Sequence, residues 1–395
     1  MSPATPPVTY LDSATAAAAW LDGLGAVTQL AIDTEGASFH KFIDRIYLIQ
    51  LSTRSQHAII DPLPIGSPAT LGRLLEDPKV EVVFHDADYD LRLLHQDYGW
   101  HVRRIFDTRI AAQLIGAKAF GLAALLEQHF GVKLDKKHQR ADWSMRPLTQ
   151  GMLDYAAQDT LHLLGLRDLM YDALERMGRR AWAEEEFQRL EGTRWPAEDP
   201  ATAFMKIKGA RDLTRRELAV LREVAQWRDA RAREVDRSTF RVLANEVMFD
   251  IARTQPRAVD ALMKLKGMPR SLNDRHAREL IDGVARAMAL PENELPKYPK
   301  APRWDKDPDF DHKFGALKSV RDDAAARLQL DPGFFCSRER MESVARLLPR
   351  SVDELTQIPE LRRWQIETLG ADFVAALAPF ARRAAKTTPD SPYAD

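Results

Sequence analysis

The sequence predicts a mixed α/β domain followed by two small all-α domains. Apolar, strand-like runs between residues 28 and 107 come first in succession and then alternate with helical patterns, which is typical of a mixed sheet flanked by helices. Residues 214–289 have helical patterns, and part of this segment recurs later in the chain. The length of 395 residues suits two or three domains of about 150 residues each.

The first domain, residues 1–200, is expected to contain an antiparallel meander. Its strands are residues 28–33, 46–51 and 57–60, and the polar stretch 36–45 is the first connection. Further strands are expected at residues 80–84 and 105–107. Helical spacing predicts helices at residues 71–75, 91–98, 108–115, 121–130 and 149–176.

Two proline-containing stretches divide the rest of the chain. Residues 195–200 (WPAEDP) form one linker, and residues 291–310, which contain five prolines, form the second. We assign residues 210–290 and 311–385 to the two helical domains. Thr214 and Glu217 fit a capping box at the start of a long helix that extends to about Val235.

An internal repeat relates the two helical domains. Residues 251–265 (IARTQPRAVDALMKL) and 344–358 (VARLLPRSVDELTQI) are identical at seven of 15 positions, at a constant offset of 93. The same offset aligns Leu243 with Cys336, so we expect Cys336 to be a small core residue rather than a reactive thiol. The two segments are therefore interpreted as copies of one small domain.

Composition excludes several classes of protein. Hydrophobic residues make up 45% of the chain, and no apolar run approaches the ~18 residues of a membrane span. Cys336 is the only cysteine, which excludes an intramolecular disulfide framework and a cysteine-based zinc site. The N-terminus lacks a basic segment followed by an apolar core, so we expect no secretion signal and a cytoplasmic protein.

The net charge of −1 conceals an uneven distribution. Residues 1–200 have 21 basic and 28 acidic side chains, whereas residues 201–290 have 19 basic and 12 acidic ones. An acidic block beside a basic block suits a protein in which one part gathers cations and the next gathers phosphates. Chance variation of surface charge is the alternative.

Carboxylates at strand and helix ends are the most informative residues. Asp33 and Glu35 close the first strand on one face, and hard cations commonly neutralise two such neighbouring anions. A solvated strand end is the alternative. Tyr155 and Asp159 lie one helical turn apart on one face, where a half-buried tyrosine bonded to the preceding helix is the alternative.

Three aspartates, Asp86, Asp88 and Asp90, follow the strand VEVVF. We expect one of them to cap the helix that begins there, because acidic side chains accept hydrogen bonds from free backbone N–H groups at helix starts. These residues alone do not decide which of the three has another role.

Together these motifs resemble the DEDD superfamily of 3′→5′ exonucleases, and specifically the ribonuclease D family. Asp33-x-Glu35 matches the first motif, VVFHDADYDLRLL matches the second and selects Asp90, and MLDYAAQDTLHLLGL matches the third, in the form of the tyrosine subgroup. The segment 138–148 (HQRADWSMRPL) is also similar to that family. The repeated helical unit resembles the HRDC domain, which occurs in tandem in ribonuclease D.

The resemblance implies an RNase H-like exonuclease domain followed by two HRDC-type domains. Asp33, Glu35, Asp90 and Asp159 would hold two Mg²⁺ or Mn²⁺ ions about 4 Å apart, which activate water and stabilise the departing 3′-oxygen. Tyr155 would orient that water, because a phenol with a pKa of about 10 is a poor base at neutral pH.

Candidate contacts with nucleic acid surround these motifs. Phe39, Phe42 and Tyr47 are candidates for base stacking, which contributes roughly 1–3 kcal/mol per base, although Phe42 and Tyr47 also suit a core. His85 either supports the metal ligands or is simply packed. Residues 136–140 and the arginines of 231–241 are either phosphate contacts or solvated surface. The individual candidates for substrate contact are Phe39, Phe42, Gln50, His85, Arg140, Trp143, Arg146 and Arg237.

The function that the resemblance implies is a metal-dependent 3′→5′ exoribonuclease. We expect it to trim structured RNA, with tRNA precursors as partners, to release nucleoside 5′-monophosphates, and to act as a monomer without membrane contact. One alternative is a DNA exonuclease of the same chemistry, because no residue identifies a 2′-hydroxyl. The other is a catalytically silent nucleic-acid-binding scaffold, which should lack an acidic ligand, and none is lacking.

Overall fold

A mixed six-stranded sheet organises the N-terminal part of the chain, the sheet domain. The structure is a computed structural model that describes residues 7–135, 137–299 and 307–387. The strands are β1 (Val8–Leu11), β2 (Gln29–Glu35), β3 (Leu48–Ser52), β4 (His57–Ile60), β5 (Glu81–Phe84) and β6 (Ile105–Asp107). Their order is β1-β4-β3-β2-β5-β6. The predicted meander of β2, β3 and β4 is antiparallel, and the other three strands join it in parallel pairs.

α-Helices cover the sheet and are the main elements of the two helical domains. In the sheet domain they are α1 (Ala14–Asp22), α2 (Pro62–Ile65), α3 (Ala69–Glu76), α4 (Asp88–Tyr98), α5 (Thr108–Leu114), α6 (Leu122–Phe130), α7 (Gln150–Leu161), α8 (Leu163–Arg176) and α9 (Arg180–Leu190). The first helical domain has α10 (Arg215–Glu234), α11 (Thr239–Val242), α12 (Asn245–Thr254), α13 (Val259–Met263) and α14 (Asp274–Ala289). The second has α15 (Phe310–Leu328), α16 (Pro332–Phe335), α17 (Arg338–Leu347) and α18 (Arg363–Thr387). No helix in the described ranges has the length and apolarity to cross a lipid bilayer.

The two faces of the sheet bury different apolar layers. Leu30 and Ile32 of β2 pack with side chains of α1, α3 and α4, whereas Ala31 packs with α5 and α8 on the other side. This alternation follows from the two-residue period of a strand. The same period places Asp33 and Glu35 on the side of Ala31, away from α4.

Two predictions about helices are wrong. The helix expected at residues 149–176 is interrupted at His162, whose φ of −106° and ψ of 1° separate α7 from α8. None of the three aspartates caps α4, because its N-cap is Ala87 without a side-chain hydrogen bond. The buried carboxylate of Asp107 accepts from the N–H of Ala87 at 2.8 Å instead. In the sheet domain, β1, α1, α2 and α9 have no counterpart among the predicted elements.

The two helical domains repeat one pattern of elements, as the offset of 93 predicts. α11 and α16, and likewise α12 and α17, begin and end at positions related by that offset. Gln255 and Leu348, directly after α12 and α17, both have a φ of 49°. Cys336 is buried, and burial raises the pKa of its thiol to about 11, so its predicted place in the core is confirmed.

The packed unit of the first helical domain is wider than residues 210–290. Phe204 is buried in its core. The Arg215 guanidinium donates to the carbonyl oxygens of Glu292 and Leu295, so the beginning of the expected second linker lies on this domain. Residues 300–306 of that linker lie outside the described residues. Residues 195–200 contain neither helix nor strand.

The second helical domain shares a hydrophobic core with the sheet domain. Trp182 of α9 stacks on Trp364 of α18 with ring centroids 4.9 Å apart. The Glu186 carboxylate accepts from Arg362 Nε at 3.0 Å and from the Trp364 indole at 2.9 Å. Apolar side chains of α5, α8 and α15 belong to the same cluster, so these two domains pack as one unit.

The first helical domain contacts the sheet domain through the loop that follows β2. The Ser238 hydroxyl donates to the carbonyl oxygen of Ser38 at 2.6 Å, and Lys41 Nζ lies 2.8 Å from the Asp236 carboxylate. Because this loop begins directly after Glu35, the first helical domain lies beside the predicted site.

Candidate active site

β2 and α7 bring three of the predicted carboxylates together in an acidic cluster, which consists of Asp33, Glu35 and Asp159. Asp33 and Glu35 leave β2 on one face, and α7, which carries Asp159, packs across β2, β3 and β4. One carboxylate oxygen from each of the three lies within 4.8 Å of the others. Residues far apart in the sequence thus meet at one end of the sheet.

Asp90 borders this cluster from the first turn of α4. β5 pairs with β2 only at residues 29–31, which leaves the Thr34 N–H free to donate to Asp90 Oδ1 at 2.9 Å. The Thr34 hydroxyl donates to the same oxygen at 2.6 Å. Burial, and then the charge of Asp90, raises the pKa of Asp159, so the two carboxylates lie close enough to interact.

The three aspartates of the second motif have different surroundings. Asp86 is exposed, has a φ of 72°, and pairs with Arg109 at 2.5 Å. Asp88 is also exposed and pairs with Arg92 at 2.7 Å. Asp90 alone is buried, with 5% of its surface exposed, and it faces Thr34.

Among the residues that the structure describes, the negative charge of this region has no positive partner. Burial, followed by repulsion from neighbouring carboxylates, raises the pKa of Asp33, Glu35 and Asp90 well above the ordinary range. Within the described residues, no lysine or arginine is among the groups that shift these pKa values. Hard oxygen donors with a surplus of negative charge suit a divalent cation, which stabilises the ionised form of each carboxyl group.

Tyr155 lies one helical turn before Asp159, and both side chains line one cleft. The cleft has a volume of about 360 Å³, and residues 121–124 at the start of α6, together with Gln139 and Gln158, form its other walls. Burial raises the pKa of Tyr155, and the acidic cluster adds to the rise. The hydroxyl is therefore protonated at neutral pH, and it can donate a hydrogen bond but is a poor base.

His85 is a packed histidine rather than a free one. Its Nδ1 lies 2.9 Å from the Thr108 hydroxyl. Burial lowers the pKa of His85 to about 4, so the ring is neutral at physiological pH. Of the two interpretations of His85 from the sequence, the packed side chain fits this environment.

Several predicted contacts with nucleic acid are wrong, because the side chains are enclosed in the protein. Gln50 is fully buried and Trp143 is 1% exposed, so neither reaches a bound strand. The Arg146 guanidinium is held by the Asp61 carboxylate and by the Tyr47 carbonyl oxygen, which occupies donors expected to bind phosphate. Tyr47 is itself 6% exposed and belongs to the core.

Other predicted contacts lie at or near the protein surface. Phe39 is 43% exposed, and an arginine of the first helical domain lies 4.7 Å over its ring. Phe42 lies under another arginine of that domain at 4.9 Å. Arg140 and Arg237 are exposed. Residue 136 of the basic run lies outside the described residues.

Two positioning features of the site were missed in the sequence. Thr34 orients Asp90, and its place between Asp33 and Glu35 was the available signal. Gly36 was also missed: a Cβ there would lie 2.4 Å from the Tyr89 hydroxyl oxygen and 2.8 Å from Asp44 Oδ1, so a larger residue directly after Glu35 would displace these two side chains.

Comparison with known proteins places both parts of the chain in established families. Residues 8–175 match the 3′-5′ exonuclease family, and residues 217–284 and 313–377 match the HRDC domain. Ribonuclease D of Granulibacter bethesdensis is 30% identical over 349 residues, which cover 88% of this chain and 86% of that protein. Ribonuclease D of Cronobacter turicensis is 31% identical over 347 residues, which cover 86% of this chain and 92% of that protein.

A solved structure extends the similarity to the whole fold. The crystal structure of Escherichia coli RNase D, described as an exoribonuclease involved in structured RNA processing, has a TM-score of 0.73 and 26% identity to this chain. The match covers 95% of this chain and 99% of that one. Since sequence and structure agree over the sheet domain and both helical domains, the chain belongs to the ribonuclease D family of 3′→5′ exoribonucleases.

Proposed function

We propose that this enzyme removes nucleotides one at a time from the 3′ end of structured RNA, in particular tRNA precursors, and releases nucleoside 5′-monophosphates. The observation that carries the proposal is the convergence of Asp33, Glu35 and Asp159 within 4.8 Å, beside the cleft that Tyr155 lines. The description of the Escherichia coli relative supports a structured substrate.

We assign the binding of two divalent cations, Mg²⁺ or Mn²⁺, to Asp33, Glu35, Asp90 and Asp159. Such ions, when bound, supply an activated water and stabilise the departing 3′-oxygen. Asp33 and Glu35 are held by the hydrogen-bonded backbone of β2, and Thr34 holds Asp90. The ligands therefore need little rearrangement to bind, which favours both affinity and accurate positioning.

Tyr155 is assigned to orienting the attacking water. Its protonated hydroxyl projects from the same face of α7 as Asp159 and can donate one hydrogen bond into the cleft. Removal of a proton from water by this group is disfavoured, because its raised pKa keeps it in the neutral form.

The division of labour that we propose gives catalysis to residues 1–200 and RNA binding to the helical domains, residues 210–290 and 311–385. Phe39, which is exposed, and Phe42, which is half-buried, remain candidates for base stacking. A cytoplasmic location and a monomeric state belong to the same proposal.

The experiment compares a 3′-tailed tRNA with a single-stranded DNA in the presence of Mg²⁺, Mn²⁺ or chelator. We expect a ladder of products shortened from the RNA 3′ end with either metal and none with chelator. Asp159→Asn should abolish the ladder, whereas Asp154→Asn, an exposed aspartate on the same helix, should not. Faster degradation of the DNA would contradict the proposal and favour a DNA exonuclease.

A further inference from the structure

The first helical domain carries a pocket outside the acidic cluster. It has a volume of about 350 Å³ and lies between the end of α10, α11 and the start of α14. Its walls include a tryptophan, three arginines and a histidine, namely Trp227, Arg231, Arg237, Arg241 and His276. None of the candidate metal ligands lines this pocket, and neither does Tyr155.

Two of its arginines carry charge that no carboxylate neutralises. Within the described part of the chain, Arg237 and Arg241 form no ion pair, whereas Arg231 pairs with Glu234 at 2.6 Å. The Trp227 indole N–H donates to the Glu279 carboxylate, and the centroids of the Trp227 and His276 rings are 6.3 Å apart. Unpaired guanidinium groups beside aromatic rings suit a ligand with both a phosphate and a planar base.

The second helical domain has none of these side chains. At the offset of 93, their positions are occupied by Val320, Ala324, Leu330, Phe334 and Leu369. Ala324, Leu330 and Leu369 are 6% exposed or less and belong to the core shared with the sheet domain. In the second helical domain, apolar residues therefore fill these positions. In the first, arginine, histidine and tryptophan side chains line an open pocket at the same positions. Departures from a local packing rule are expected at functional sites.

The pocket adjoins the loop that leaves the acidic cluster. Arg241 lines the pocket and also lies 4.7 Å over the Phe39 ring, four residues after Glu35 in the sequence. The ring centroids of Phe39 and Phe240 are 5.1 Å apart, and these residues are 43% and 45% exposed. Exposed rings with a neighbouring guanidinium form a surface on which bases stack. This surface connects the end of β2 with the pocket.

We propose that the pocket binds one internal nucleotide of the substrate strand, upstream of its 3′ end. Arg237 and Arg241 hold the phosphate, and Trp227 and His276 face the base. This inference rests on the proposed function and adds two points to it. The first helical domain binds the strand in preference to the second, and tight binding requires an unpaired 3′ extension that spans from the cleft to the pocket.

The test uses the full-length protein with Mn²⁺ and two substrates, a long single-stranded RNA and a dinucleotide, which has no internal nucleotide. Arg237→Glu reverses the charge, and Arg237→Leu introduces the residue of the second domain. Arg257→Glu is the matched control, because Arg257 is exposed in the same domain and does not line the pocket.

Both Arg237 variants should raise KM for the long RNA about tenfold or more, because a phosphate loses a charged hydrogen-bond donor. They should leave kcat unchanged, and the dinucleotide should be hydrolysed as by the wild type. The dependence of log KM on log salt concentration should weaken by about one unit of slope. Arg257→Glu should match the wild type in every measurement.

Three results would overturn the inference. They are an equal rise of KM in Arg257→Glu, an equal loss of activity on the dinucleotide, and an unchanged KM for the long RNA in both Arg237 variants. In the last case, binding of AMP in the presence of chelator that depends on Arg237 would assign the pocket to a free nucleotide instead. Failure of the wild type to shorten the long RNA would contradict the proposed function and not the pocket.

Discussion

Thr34 donates two hydrogen bonds to one carboxylate oxygen of Asp90, from its backbone nitrogen at 2.9 Å and from its hydroxyl at 2.6 Å. Thr34 lies between Asp33 and Glu35, so the strand that carries two carboxylates also orients a third from α4. The acidic cluster and Asp90 are thus brought together by the fold itself, although burial and mutual repulsion raise the pKa of all four carboxyl groups. A divalent cation offsets that repulsion.

Thr34→Val should weaken metal binding. The valine keeps the shape of the side chain but removes the hydroxyl donor, so Asp90 Oδ1 keeps only the backbone bond. We expect the Mn²⁺ concentration for half-maximal activity to rise about tenfold, and the free energy of unfolding to fall by about 1–3 kcal/mol. Thr34→Ser, which keeps the donor, should restore both values. An unchanged metal dependence in the valine variant would show that the hydroxyl has no such role.

Tyr155→Phe should lower the rate and leave metal affinity unchanged. The variant loses the protonated hydroxyl that lines the cleft, while the four carboxylates remain. We expect kcat to fall about a hundredfold, within the range for loss of a positioned catalytic group, with the same Mn²⁺ dependence as the wild type. Full activity of the phenylalanine variant would contradict the orienting role.

His85 should make the protein less stable in mild acid. Burial lowers its pKa from 6.5 to about 4, so between these values the unfolded chain binds a proton that the folded chain does not. The free energy of unfolding therefore falls as pH decreases from 6.5 to 4, by up to about 3 kcal/mol, with no further loss from this group below pH 4. His85→Asn should lack this decrease in denaturant titrations. Parallel pH profiles of the two proteins would be inconsistent with a buried neutral imidazole.

Glu186→Ala should destabilise the sheet domain and the second helical domain together. Glu186 and Arg362 are 13% and 12% exposed, and removal of the carboxylate leaves a largely buried guanidinium without its partner. We expect a loss of about 3–5 kcal/mol. Because α8 and α18 share one core, their amide protons should lose protection from exchange to the same extent. Loss of protection in α18 alone would mean that the two domains unfold independently. Glu186→Gln, which keeps an acceptor, should have a smaller effect.

The sequence alone predicts which candidate site residues share a face of a strand or a helix. Asp33 and Glu35 share a face because a strand repeats every two residues, and Tyr155 and Asp159 share one because a helix nearly repeats every four. The break at His162 was not predictable, because the apolar pattern continues through it. It was harder still to predict which side chains the folded protein buries.

Burial depends on what the rest of the chain places on each face, and no local pattern records that. Gln50 is enclosed because β3 is a central strand that is covered on both faces of the sheet. The sequence of β3 does not indicate that both of its faces are covered. α9 was missed for a related reason. Only Ala183 and Phe187 of this charged helix are buried, which is too few for a clear amphipathic pattern.

The central claim is that Asp33, Glu35, Asp90 and Asp159 hold divalent cations. Anomalous diffraction from crystals soaked in Mn²⁺ tests it most directly. We expect two peaks enclosed by these four carboxylates and next to Tyr155, and loss of both in Asp159→Asn crystals. Manganese bound elsewhere in crystals of an active enzyme, with no peak among the four carboxylates, would contradict the claim.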